Sequence, residues 1–265
     1  MKSWKHIAWW VTGVLAFFAV LSFTTAKHRE RKLTGPEIDI DWSNGLFFVS
    51  KEDVLNKIRT VHENLTEVSI ADANPDLIEQ AVMQLPEVKR AEVFINIDGK
   101  LKISVEQRVP IARIIPEAGS SFYIDEDGKY MPLSKNFAAR VLVVNGKFTQ
   151  RYRNISAELL QRNDTLKKQT LFDEFFELAQ FIRADSLWSA QIQQVYVNEN
   201  KEFELIPRVG NHNIELGNTT DLEDKFRRLF IFYSEGLPYS NWNKYSKISL
   251  KYKNQVVCTL KQLPV

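Results

Sequence analysis

Of 265 residues only one is cysteine, four are histidine and ten are glycine, and each shortage removes a class of chemistry. The lone Cys258 has no partner for an internal disulfide, so it says nothing about redox compartment. Set in an apolar strand pattern, it reads as a buried, inert thiol rather than a nucleophile. His6, His28, His62 and His212 are scattered, with no two placed four apart as helical metal ligands would be. The glycines form neither a P-loop nor a G-x-G-x-x-G turn, and no serine sits in a G-x-S-x-G elbow. Asp125, Asp127 and Gly128 come near a calcium loop, but the glycine falls two positions early and the closing glutamate is missing, which leaves a hairpin turn. An acid and base pair needs only spatial proximity, and nothing in the sequence singles one out. A noncatalytic binding role without cofactor or metal is therefore the default expectation.

Acidic residues are absent from the first 26 positions, and the run Ile7 to Ala26 carries no charge over 20 residues. At about 1.5 Å per residue a helix of that length spans roughly 30 Å, the hydrocarbon thickness of a bilayer. Lys2 and Lys5 before the run and Thr24, Thr25 and Ala26 at its end also suit a cleaved secretory signal. Apolar regions of such signals are shorter, about 7–15 residues, and Trp4, Trp9 and Trp10 are placed as interface anchors, which favours a retained transmembrane helix. The flanks oppose an external domain: Lys27, Arg29, Arg31 and Lys32 outnumber Lys2 and Lys5. Long domains translocate largely regardless of such charge. Setting aside Lys2 and Lys5 leaves 33 basic residues against 33 acidic ones, a balance without the footprint of nucleic-acid binding.

Beyond the run, IDIDW (Ile38 to Trp42) alternates as a strand, and Asn44 and Gly45 turn the chain. Ser50 and Asp53 form a capping box, flanked by Val49 and Val54 as a hydrophobic staple, so a helix begins there. Asn74 caps a second helix with Pro75 at its first position. Ala91 to Ile97 and Leu101 to Val105 alternate around Asp98 and Gly99, which predicts a two-residue type I′ hairpin. Residues 36 to 108 thus read strand, helix, helix, strand, strand, preceded by a tail (1–6), a transmembrane helix (7–26) and a basic linker (27–35).

From 109 to 265 the pattern shifts to short strands with at least two helices, giving an α+β chain overall. Phe122 to Leu133 predicts a hairpin, and Arg140 to Gly146 a strand ending in a turn. Helices are expected over about Thr170 to Arg183 and from Thr220, which has Glu223 three later, to a stop at Gly236 and Pro238. Strands are expected near 195–197, 203–206 and 213–216, followed by a terminal hairpin of Lys247 to Tyr252 with Val256 to Leu260.

The order of these elements, with FVSKEDVLNKI (Phe48 to Ile58), LPEVKRAEVFINIDGKLKISVEQRVPIARI (Leu85 to Ile114), YIDEDG (Tyr123 to Gly128) and ISLKYKNQVV (Ile248 to Val257), resembles the FtsQ/DivIB family of bacterial cell division proteins. The Lys, Phe and Tyr content is similar to its Bacteroidetes branch. The resemblance implies a POTRA domain and a β domain on the periplasmic side of a single-pass inner-membrane protein at the division septum. It further implies a noncatalytic scaffold with partners of FtsB and FtsL type and no small-molecule substrate. In this family the last strands form an edge to which FtsB adds a strand. The matching positions are Lys247, Ile248, Ser249, Leu250, Lys251 and Tyr252, with Val256 and Cys258 on the return strand.

Ser249 and Lys251 stand where the family often has Asp and Arg, so its charge pairing does not carry over directly. Tyr252 is the expected side-chain anchor, Lys251 the group to meet an acidic partner segment, and proline at Leu250 is expected to abolish capture. Ile248, Leu250 and Tyr252 share one strand face, and a purely structural role in the core is the competing reading. Gln107, Arg108 and Pro110 fall at the joint between the two domains, with a solvated Arg108 as the plainer alternative. Two other functions stay open: a periplasmic cell-wall enzyme with convergent carboxylates, and a POTRA module in protein transport. The second would carry a β-barrel, for which no run of amphipathic strands is seen.

Overall fold

The computed structural model describes residues 9–10, 13–18, 31–149 and 171–261. Of the apolar run, residues 9–10 and 13–18 are helical and the remainder lies outside the described residues. No helix among the described residues is long and apolar enough to cross a membrane. The chain divides into two compact units, Met1–Gln107 and Arg108–Val265.

In the first unit, strand β1 (Pro36–Ile40), helices α1 (Lys51–Arg59) and α2 (Pro75–Met83), and strands β2 (Val88–Ile95) and β3 (Leu101–Gln107) follow in the expected order. The sheet order is β1-β3-β2, with β1 parallel to β3 and β2 antiparallel to it. The Ser50–Asp53 capping box forms, and Asn74 caps α2 with Pro75 at its start, so both helix starts were written locally. Val54, Ile58, Ile78 and Val82 are fully buried with Ile103 and Val105.

The hairpin differs from expectation by one residue. Gly99 N–H donates to Asn96 O and Asn96 N–H to Lys100 O, both at 2.9 Å; Gly99 takes φ 83° while Asp98 keeps negative φ. The loop is therefore three residues, Ile97 to Gly99, rather than a type I′ pair, and Ile97 leaves the strand, 89% exposed. The apolar faces enforce this. With three loop residues Val93 pairs with Ile103 and Ala91 with Val105, whereas a two-residue turn would set Val93 against Ser104.

The second unit holds one nine-stranded sheet. Its strands are β4 (Pro110–Ala118), β5 (Phe122–Asp125), β6 (Tyr130–Pro132), β7 (Leu142–Thr149), β8 (Ile192–Val197), β9 (Phe203–Pro207), β10 (Asn213–Gly217), β11 (Tyr245–Ser249) and β12 (Val257–Leu260). They lie in the order β12-β11-β10-β9-β8-β7-β4-β5-β6. Helices α3 (Phe172–Ala184) and α4 (Ser186–Gln191) precede β8, and α5 (Leu222–Ile231) links the parallel pair β10 and β11. One continuous core joins sheet and helices through Phe175, Leu178, Leu205, Phe226, Leu229 and Ile248.

Gly146 does not end β7 in a turn. It lies inside the strand at φ 133°, where a Cβ would stand 2.1 Å from Val197 O. The helix from Thr220 also departs from its sequence pattern. Asp221, at φ 55°, occupies the N-cap position of α5 without a side-chain bond, so the Thr220–Glu223 capping box does not form. Nor do Gly236 and Pro238 stop the chain. It continues through a π turn (Phe232–Gly236) into α6 (Leu237–Ser240), with Pro238 just after the π turn.

Candidate functional site

Two ends of the nine-stranded sheet lack a neighbour among the described residues, β6 and β12. β6 is three residues long and ends in Pro132, a poor template for another strand. β12 instead presents Val257 and Leu260 with 41% and 58% of their surface exposed.

Backbone alternation settles which groups of β12 face outward. Leu250 N–H donates to Glu215 O of β10 at 2.9 Å, so Ile248 and Leu250 spend their backbone on β10, and Lys247 and Ser249 face β12. Their ladder partners Thr259 and Val257 face back, which leaves the N–H and C=O of Cys258 directed to the open side. Across the bulge at Ser246, Lys261 N–H bonds Lys244 O, so Leu260 also points its N–H outward, while its carbonyl accepts from Ser246 Oγ at 3.4 Å.

The expected binding residues therefore fall into different roles. Ile248 and Leu250 are fully buried and Ser249 is 6% exposed, so their side chains belong to the core, and Leu250 lies beyond β11, committed to β10. Proline at Leu250 would break the fold rather than report on an edge. Lys247 binds Glu215 at 2.9 Å and Lys251 binds Glu202 at 2.7 Å. Each carboxylate raises its lysine's pKa, and neither ammonium is held in reserve for a partner. Tyr252 is half exposed, but it lies in the bend between the strands. Val256 and Cys258 pack against the core, and burial pushes the Cys258 thiol up, in keeping with an inert group.

Beside the start of β12 lies an open groove of about 380 Å³, lined by Ile231, Phe232, Glu235 and Val256 among others. Sheet edge and groove together make a surface suited to an added strand with apolar side chains. Comparison with known families agrees with this architecture. A model of the FtsQ/DivIB C-terminal related region matches residues 109–259, and a POTRA-like domain model matches residues 33–106. The chain belongs to the FtsQ/DivIB family. The cell division protein FtsQ of Rhodothermus marinus is 26% identical over 196 residues, which cover 71% of this chain and 66% of that protein, just under two thirds of its length.

In this FtsQ/DivIB chain the residue that shapes the site was missed by sequence reading. Arg228 of α5 donates from Nη1 to the carbonyls of Tyr252 (2.9 Å) and Gln255, and from Nη2 to that of Leu250 (3.2 Å). Its Nε is held by Asp224 at 2.8 Å. One guanidinium thereby fixes the whole β11–β12 turn. The turn contains no glycine; Asn254 supplies the positive φ (59°) instead. The sequence does show Asp224 and Arg228 four apart, but an i, i+4 pair on a helix announces only itself.

The joint residues are each tied within their own unit. Gln107 is 3% exposed: its Oε1 accepts from Phe48 and Val49 N–H (2.9 and 3.1 Å), and its Nε2 donates to Asp41 and Leu46 carbonyls (3.0 and 2.9 Å). Arg108 is not a solvated charge. It pairs at 2.8 Å with Asp125, whose carboxylate also accepts from the N–H groups of Asp127 and Lys129. The acidic cluster thus closes its hairpin turn, and Pro110 simply opens β4. No group of potential metal ligands gathers among the described residues.

Proposed function

We propose that this protein is a noncatalytic scaffold of the bacterial division machinery that captures FtsB- and FtsL-type partners by strand addition to β12. Ile7 to Ala26 anchors it in the cytoplasmic membrane, with residues from 31 onward on the periplasmic side at the septum. The observation that carries this reading is the open edge of β12, with the outward backbone of Cys258 and Leu260 beside exposed Val257 and Leu260. Family membership supports the division role.

Energetics set what else must contribute. The N–H and C=O of Cys258 and the N–H of Leu260 offer three backbone groups, and at about 0.5–1.5 kcal/mol net each they yield about 1.5–4.5 kcal/mol. Micromolar affinity needs about 8.2 kcal/mol, before association entropy is met. Side-chain burial in the groove next to Val256 is the natural source of the difference.

Proline tests the edge directly. Proline on an edge strand is tolerated where the N–H faces away from the ladder. Cys258→Pro and Leu260→Pro should each abolish co-purification of a short coiled-coil division partner with the full-length chain while the melting temperature stays near wild type. Thr259→Pro removes a ladder bond and should lower the melting temperature. Undiminished partner recovery with folded Cys258→Pro and Leu260→Pro proteins would eliminate strand addition at β12.

A further inference from the structure

Midway along the sheet, where β4, β7 and β8 begin and β9 ends, three arginines from three separate elements line one cleft of about 540 Å³. Arg140 precedes β7, Arg183 lies in the last turn of α3, and Arg208 follows β9. Between them the apolar surface comes from the half-buried Val141 and Leu142, while Ile111, Ala179 and Ile182 are buried behind the lining. None of the twelve lining residues is acidic. Arg183 reaches Glu126 outside the cleft at 3.5 Å, whereas Arg140 and Arg208 have no carboxylate partner among the described residues. The Arg208 backbone is held in place, its N–H donating to Gln191 O at 2.6 Å while Gln191 Nε2 donates to Val209 O at 3.0 Å.

Guanidinium groups left unpaired in a concave cleft recognise planar carboxylates in bidentate fashion. The volume lies within the roughly 300–1,000 Å³ of ordinary ligand sites. We propose that this cleft binds an acidic peptide segment of a partner protein, two or more carboxylates flanking an apolar side chain that rests on Val141 and Leu142. A bare inorganic anion would satisfy the arginines and leave that apolar surface uncovered, and a bilayer surface would meet the rim without entering. The site is separate from β12 and adds a second contact to the scaffold.

The test uses the full-length chain in detergent micelles and a fluorescein-labelled peptide, Glu-Leu-Glu-Ile-Glu, followed by fluorescence anisotropy. Binding should weaken at least tenfold in the Arg140→Gln/Arg208→Gln double variant, because two charge-assisted hydrogen-bonding groups are lost. It should also weaken steadily with added salt. Both arginines are solvent-exposed, so the variant's melting temperature should not move. Leu260→Pro should leave peptide binding intact, which separates this site from the β12 edge. Equal binding of Gln-Leu-Gln-Ile-Gln, or wild-type affinity in the double variant, would overturn the proposal. So would displacement of the peptide by equimolar inorganic phosphate or by anionic vesicles, which would mark a simple anion or lipid site.

Discussion

Gln107, Arg228 and His212 show what single side chains decide here. Gln107 satisfies four backbone groups of the loop from Asp41 to Val49, so Gln107→Ala leaves buried donors and acceptors unpaired. A loss of about 2–4 kcal/mol is expected, measured by urea titration. Arg228→Met should cost about 1–3 kcal/mol and also weaken partner recovery, since the turn that presents β12 loses its clamp. His212 is 2% exposed and its Nε2 lies 2.8 Å from Tyr233 Oη, while Nδ1 has no partner. Burial first, and then the Lys261 charge, hold its pKa below the usual 6.5. The unfolded chain therefore takes up the proton first, and stability present above about pH 6.5 falls as pH drops from there towards the lowered folded value. Urea midpoints at pH 7.5 and 5 should diverge less in His212→Phe than in wild type. None of these roles could be read from sequence, because each depends on partners far along the chain: Gln107 is 59 residues from Phe48, and His212 is 21 from Tyr233.

Elements were legible where local chemistry dominates and shifted where packing does. The capping box at Ser50 and the Asn74–Pro75 start of α2 are short-range devices, and both appear as expected. The Asp98–Gly99 turn yielded to the need for apolar residues of β2 and β3 to share a face, since a one-residue slip turns every side chain over. α5 overran its glycine and proline because Tyr233 and Leu237 are buried on the same side, and the π turn re-phases the helix to keep them there. Gly146 marks the tightest strand contact. Gly146→Ala should destabilise by about 3 kcal/mol or more, seen as a lowered thermal midpoint, because the added methyl meets the Val197 backbone inside the sheet.

For the whole molecule, orientation is the point where sequence rules disagree, since basic flanks favour a cytoplasmic domain and family membership favours an external one. Protease added to spheroplasts should digest residues 31–265 while cytoplasmic markers survive; full protection would reverse the proposed topology. The sequence by itself determined the α+β class, the βααββ order of the first unit, the approximate strand and helix positions of the second except β4 and α4, and the family, because hydrophobic period, caps and turns are encoded within a few residues. Only the tertiary structure decided that Ile248 and Leu250 are core, that Lys247 and Lys251 are already paired, and that the open backbone belongs to Cys258 and Leu260. Which strand ends a sheet depends on where β10 lies, and β10 reaches β11 only through a crossover of some thirty residues whose geometry no local pattern specifies.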